Sequence, residues 1–282
     1  MSEPTLISRD ALSGQKVTLS VSESADLSRL GLTEQHCRLV VAEVGRAIML
    51  AGGTVVYGGH LNPGGYTEIL IEEAQRFSSG RSALEITLAE SEYRKLTADE
   101  LIAADRNLGD IGRLTLVSES RKTVPISRAL DGSWTQDAGN ALTAMREHVA
   151  SETTARLIVG GRLAGYVGAE PGVIEEARLT IQSGRLLLVA GGYGGAAAAV
   201  AQRLYPQSFD GWAPGAYPAH AQDAQVAVAL DALHDAYASA ASGPHLDEEL
   251  SRLLTISHRP ADIARATVRL LSAAANSADG ST

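Results

Sequence analysis

The chain has 282 residues, 45% of them hydrophobic and 4% aromatic, with 33 acidic against 24 basic side chains and a single cysteine, Cys37. That length can bury a full core, while a net charge of -9 is the wrong sign for general affinity to nucleic acid or an anionic membrane, whose phosphates are bound by Lys and Arg. One cysteine excludes an internal disulfide or a cysteine metal cluster, no run of about 18 apolar residues suggests a membrane span, and the start MSEPTLISRD lacks the regions of a signal peptide, so a cytoplasmic protein is expected.

Lys16 to Val21 (KVTLSV) reads as the first strand. It ends in Ser22, Glu23 and Ser24, small polar residues that suit a phosphate-contacting loop or an ordinary polar turn. From Thr33 to Leu50 apolar residues recur at helical spacing, with Thr33 as N-cap and Gly52-Gly53 as the stop. His36 and Cys37 are adjacent on this helix and point apart, so Cys37 reads as core rather than as half of a catalytic pair. Thr54 to Tyr57 is a buried strand, followed by a glycine turn through Gly58, Gly59, His60 and Gly65 and a helix that carries Thr67 and runs to about Ser79. Ser82 to Leu88 and Arg113 to Val117 read as further strands, and the charged stretch 89–112 as a weakly helical surface insertion. Residues 122–135 are irregular, with Asp137 capping the helix that follows.

That helix carries Arg146 at the margin of an apolar stripe. After it come a short strand buried on both faces (Arg156 to Val159), a Gly160-Gly161 turn, and a helix that opens near Pro171 and Gly172 with Glu175 and Glu176 in its first turns. A strand of this kind suits the middle of a parallel sheet, where ligands bind beyond the carboxyl ends. The glycine turn allows close approach, and the helix start offers N–H groups to an anion. One basic and two acidic side chains can therefore meet at a phosphate or ribose phosphate site. Helical geometry sets Glu175 and Glu176 about 100° apart, so at most one is expected to face it. Without a ligand, both are solvated acids near a helix start, and Arg146 pairs with Glu147 or Glu152.

Arg185 to Ala190 reads as the last strand, closed by Gly191 to Gly195 and an alanine-rich helix. Gly192, Gly194 and Ala197 match the loose dinucleotide fingerprint, yet the acid about 20 residues on, Asp210, lies in FDGWAPG rather than in a strand. Gly192, Tyr193 and Gly194 are read instead as a ligand-facing turn of the same pocket, and no cofactor is expected. The seven histidines show no metal-ligand spacing. Helices over 226–237 and 263–274 follow, with a disordered end from Asn276. The expected fold is α/β, a Rossmann-like, largely parallel sheet flanked by helices. Residues 1–205 form the nucleotide-binding domain, with 89–135 partly an insertion, and 206–282 a helical extension packed on it.

VVYGG at 55–59, Met145-Arg146, and PGVIEE at 171–176 resemble the Lonely Guy phosphoribohydrolases and the wider SLOG superfamily. VSESADLSRLGL at 21–32, YGGHLNPGGYT at 57–67 and LVAGGYGGAA at 188–197 resemble a bacterial branch tied to phage defence. The resemblance implies that Arg146 and Glu176, with Glu175 before it, act at an N-glycosidic bond or bind ribose. It further implies that Ser22, Gly58, Gly59, Thr67, Gly160, Gly161 and the Gly191–Gly195 turn line phosphates, with Arg146 as counter-charge. The implied ligand is a nucleotide of ADP-ribose type, sensed in antiphage immunity, with an effector protein and a homo-oligomer as partners. The alternative is a nucleoside 5′-monophosphate N-glycosidase. Here the family's compact PGGxGTxEE is opened by the residues between Gly161 and Gly172, and its Thr is Val173. Losing that hydroxyl removes a hydrogen bond of roughly 1–3 kcal/mol to a charged partner, which weighs against hydrolysis of a simple monophosphate and suits a bulkier ligand. A single-strand DNA binder of the same superfamily is disfavoured by the charge.

Overall fold

The computed structural model describes residues 7–129, 138–209, 218–240 and 246–279. The Asp137 cap and Asp210 lie outside these residues. Seven strands form one sheet: β1 (Lys16–Ser22), β2 (Thr54–Gly58), β3 (Leu84–Ala89), β4 (Gly112–Val117), β5 (Thr123–Val124), β6 (Ala155–Gly160) and β7 (Leu186–Ala190). Their order is β5-β4-β3-β2-β1-β6-β7, and every pairing is parallel except that of the two-residue β5 with β4. The chain steps outward from β1 through β2 and β3 to β4, then returns to the other side of β1 as β6. This reversal places a switch point between β1 and β6, where an open parallel sheet leaves a crevice beyond the strand ends. The register closes both strands at one level, Ser22 opposite Gly160. The fold is the expected α/β, Rossmann-like one.

On one face, α1 (Glu34–Leu50), α2 (Tyr66–Phe77) and α10 (Pro260–Asp279) bury Val40, Val44, Leu70, Ile263 and Leu270 against Leu19, Val55, Ile86 and Leu157. Thr33 starts α1 as its N-cap, and its N–H donates to His36 Nδ1 at 3.0 Å. Cys37 is fully buried in this layer, and burial pushes its thiol up to about 11, so it is core and not a nucleophile. The other face carries α5 (Ala138–Glu152), α6 (Gly172–Gln182), α7 (Gly195–Leu204) and α8 (Ala224–Ser239). Ile158, Val189, Ile174, Ala197, Val200 and Leu233 make one cluster there.

Besides β5, which lies in the stretch 122–135 read as irregular, three stretches differ from the sequence reading. Residues 89–112 carry the β3–β4 crossover, α3 (Glu90–Tyr93) and α4 (Ala98–Leu108), and bury Tyr93, Leu101 and Leu108. The apolar stripe is so narrow that charge hides it, although Thr97 and Glu100 form a capping box. A helix α9 (Glu248–Ile256) has no counterpart in the sequence reading; Asp247 caps it, accepting from Leu250 N–H at 2.8 Å. The end from Asn276, expected to be disordered, is helical to Asp279, because the alanines at 273–275 favour continuing α10. No described helix is long and apolar enough to cross a membrane.

Buried Glu85 on β3 accepts from Arg113 Nη2 at 2.5 Å, Thr115 Oγ1 at 2.9 Å and Lys16 Nζ at 3.3 Å. Burial alone would raise its carboxyl, and these three donors outweigh burial and hold it below the usual carboxylate range. A depressed folded value adds stability that is full above the unfolded value of about 4.3 and is lost as pH falls through the folded one. Glu85→Gln should therefore cost about 1–2 kcal/mol at pH 7 and nothing at pH 2. Urea unfolding at the two pH values checks this, and an equal loss at both would show that charge plays no part.

Candidate functional site

The sheet face under α5 and α6 is polar where β1 and β6 meet. Thr18 and Ser20 alternate with apolar residues on β1, and Arg156 sits opposite Thr18 on β6, 2% exposed. Arg156 donates through Nε to Thr180 Oγ1 at 2.8 Å and through Nη1 to Ser20 Oγ at 2.5 Å, and Nη1 also lies 3.2 Å from Glu176 Oε2. The other oxygen of Glu176 accepts from Arg146 Nε at 3.3 Å. Arg146 Nη1 reaches Glu175, whose Oε1 accepts from Thr143 Oγ1 at 2.6 Å. Two guanidinium groups and two carboxylates thus alternate in a chain whose net charge is zero. Burial pushes Arg156 below its ordinary value, Arg146 adds to that effect, and Glu176 opposes it.

This arrangement differs from the expected pairing of Arg146. Both Glu175 and Glu176 turn to Arg146, because α5 crosses α6 closely enough for one guanidinium to span the two directions. Arg146 pairs with neither Glu147 nor Glu152 but, through Nε and Nη1, with Glu176 and Glu175. Arg156, which ties Glu176 to the sheet, is the member of this network that the sequence reading missed. The network lies just below the strand ends: Met145 packs on Gly58, and a Cβ at Gly172 would come within 2.4 Å of Arg146 Nη2.

Beyond β1 and β6 lies a crevice of about 350 Å³, lined by Glu23, Ser24, Gly161, Arg162, Gly195 and His220 among others. Gly160 and Gly161 have φ of +63° and +100°, so the chain leaves β6 in a left-handed turn that L side chains rarely adopt. Gly161 N–H donates to Ser22 O at 2.8 Å, and Gly161 O accepts from Ala196 N–H at 3.0 Å. The loop after Gly161 is braced by buried Leu163, by Tyr166 Oη on Gln225 Oε1 at 3.0 Å and by the Glu170–Arg178 pair. On α6, Ile174 and Glu175 N–H donate to Pro171 O, which leaves those of Gly172 and Val173 as the open donors of its first turn.

The sequence profile of the family described as SLOG cluster2 matches residues 11–253. The chain belongs to the SLOG cluster2 family. That membership supports a role in binding a nucleotide-related ligand. No curated protein and no solved structure matches the chain.

In this SLOG domain the other sequence-derived candidates divide into two groups. Ser22 and Gly58 are the last residues of β1 and β2, and Glu23, Ser24 and Gly59 begin the loops after them. His60, Gly65 and Thr67 belong to a self-braced loop, in which Thr67 Oγ1 donates to His60 O at 2.7 Å and Gly65 precedes α2 as its N-cap. The Gly191–Gly195 turn is different. Tyr193 is 0% exposed, with its hydroxyl donating to His258 O at 3.1 Å, and a Cβ on Gly192 would lie 2.2 Å from Ser257 O. Gly192 and Tyr193 therefore pack against the α9–α10 junction and do not line a ligand. The start of α7 is filled from within: Gly195 N–H donates to the buried carboxylate of Asp26 at 2.7 Å, and Gly194 packs on the same side chain. Among the described residues no His, Cys, Asp and Glu cluster could hold a metal ion.

Proposed function

We propose that this SLOG domain binds a nucleotide of ADP-ribose type beyond the ends of β1, β2 and β6 and serves as a sensor that holds its ligand intact. The observation that carries this reading is the closed charge network. One oxygen of Glu176 accepts from Arg146 Nε and the other is ion-paired with Arg156 Nη1 at 3.2 Å, which holds the carboxylate oriented. A carboxylate fixed in orientation suits ribose hydroxyls, while the Gly160-Gly161 turn and the open donors of α6 suit phosphate. The part in antiphage immunity rests on the resemblance of residues 21–32, 57–67 and 188–197 to that branch.

The second reading, an N-glycosidase, is favoured by the pairing of Glu176 with Arg146, whose guanidinium packs on Gly172 at the start of α6. Chromatography of products after incubation with ADP-ribose and with AMP separates the two. Calorimetric binding of ADP-ribose with recovery of the intact ligand is the expected result. Free base released by the wild type and abolished by Glu176→Gln would establish the enzyme, and neither heat nor thermal shift would end the sensor reading.

A further inference from the structure

If the charge of Arg146 is spent inside the protein, a ligand with two phosphates needs its cation elsewhere. Asp26 does not supply a competing free charge in the crevice, because its Oδ1 accepts from Arg29 Nη2 at 2.7 Å and Ala219 N–H at 3.0 Å and its Oδ2 from Gly195 N–H. Glu23 is exposed at the crevice edge. Arg162 is different from every arginine of the charge network: it is exposed, lines the crevice, and has no hydrogen bond or ion pair among the described residues. Across from it stands His220, whose backbone is held at φ +64°, a region that a non-glycine residue rarely adopts. Its Nδ1 lies 3.3 Å from Asp223 Oδ2, which leaves Nε2 for another partner. Strain that persists at a crevice wall is a pointer to function, and His220 lines the same crevice as the free guanidinium of Arg162 on its braced loop.

We propose that Arg162 and His220 form a clamp for the second phosphate of a pyrophosphate-bearing ligand, so that the residues inserted between Gly161 and Gly172 select dinucleotide-like ligands over mononucleotides. The inference rests on the nucleotide-binding reading above and adds to it the site of the distal phosphate. Arg162 offers the planar fork that meets phosphate oxygens two at a time, and His220 Nε2 a single donor. Glu23 at the same edge is an acceptor for ribose hydroxyls. The crevice of about 350 Å³, whose lining includes the Gly161 turn, holds a phosphate and part of a nucleoside.

Calorimetry on the full chain with ADP-ribose, AMP and inorganic pyrophosphate tests the clamp, using Arg162→Ala and His220→Ala, both checked for an unchanged melt. Arg162→Ala should weaken ADP-ribose and pyrophosphate at least tenfold and AMP less than twofold, and His220→Ala should act in the same direction more weakly. Equal losses for AMP and ADP-ribose, or no loss, would overturn the clamp and leave the nucleotide reading standing. If the wild type binds pyrophosphate but neither nucleotide, and Arg162→Ala removes that binding, the clamp stands and the nucleotide reading fails. If none of the three binds, both fail.

Discussion

Arg146→Ala should lower the unfolding free energy by about 3–5 kcal/mol and remove ligand binding, the largest loss expected from any single change in the network. The reason is the arithmetic of buried charge. Arg146, Glu175 and Glu176 expose only 11%, 6% and 14% of their side chains, so water cannot replace a missing partner. Without Arg146, Glu175 keeps only the Thr143 hydroxyl, and Glu176 must rely on Arg156 alone. Arg156 cannot serve both acids, because Ser20 and Thr180 hold it against the sheet. The double variant Arg146→Met, Glu175→Gln removes one charge of each sign and leaves the Glu176–Arg156 pair intact. It should recover most of the lost stability and none of the ligand affinity, since Glu176, the carboxylate proposed for ribose, has lost its second anchor. Guanidinium unfolding gives the first number and ADP-ribose calorimetry the second. A loss below about 1 kcal/mol for Arg146→Ala would mean that the carboxylates find water or other donors, and the closed network would be the wrong description.

The strands and the glycine turns were legible in the sequence because each is a local signal. A short apolar run followed by Gly58-Gly59 or Gly160-Gly161 needs no tertiary information to be read as a strand end. Pairings across elements were not legible. Arg156 reads as the polar start of an apolar strand, and only the register of β6 on β1 shows that it faces Ser20 and Thr18. A partial signal existed: Thr18 and Ser20 alternate with apolar residues in a central strand, where both faces are buried, so that face had to meet something polar. Asp26 gave no signal at all. It follows the serines in a loop, and its partners lie at Gly195 and Ala219, far along the chain. The Gly191–Gly195 turn misled for the opposite reason, since glycine serves close packing against backbone as well as close approach to a ligand. At Gly192 the close neighbour is Ser257.

Asp26→Ala should cost about 3 kcal/mol and lower Tm by roughly 6–10 °C, with a matching loss of ligand affinity. The carboxylate is 1% exposed and acts as a resident anion where an external phosphate would otherwise sit at the start of α7. One oxygen serves Gly195 N–H, and the other holds Ala219, next to His220, against the β1 loop. Removing it uncaps a helix of ten residues and releases the wall of the crevice together. Asp26→Asn keeps one acceptor oxygen, so it should cost about half as much. The alanine variant also leaves Gly195 N–H open at a positive helix end. Inorganic phosphate at millimolar concentration should therefore raise its Tm by several degrees more than it raises that of the wild type, whose site is already filled. Equal shifts in the two proteins would reflect only the general action of the salt. In that case Asp26 would be a packing residue, and the α7 terminus would not be an anion site that the protein occupies with its own side chain.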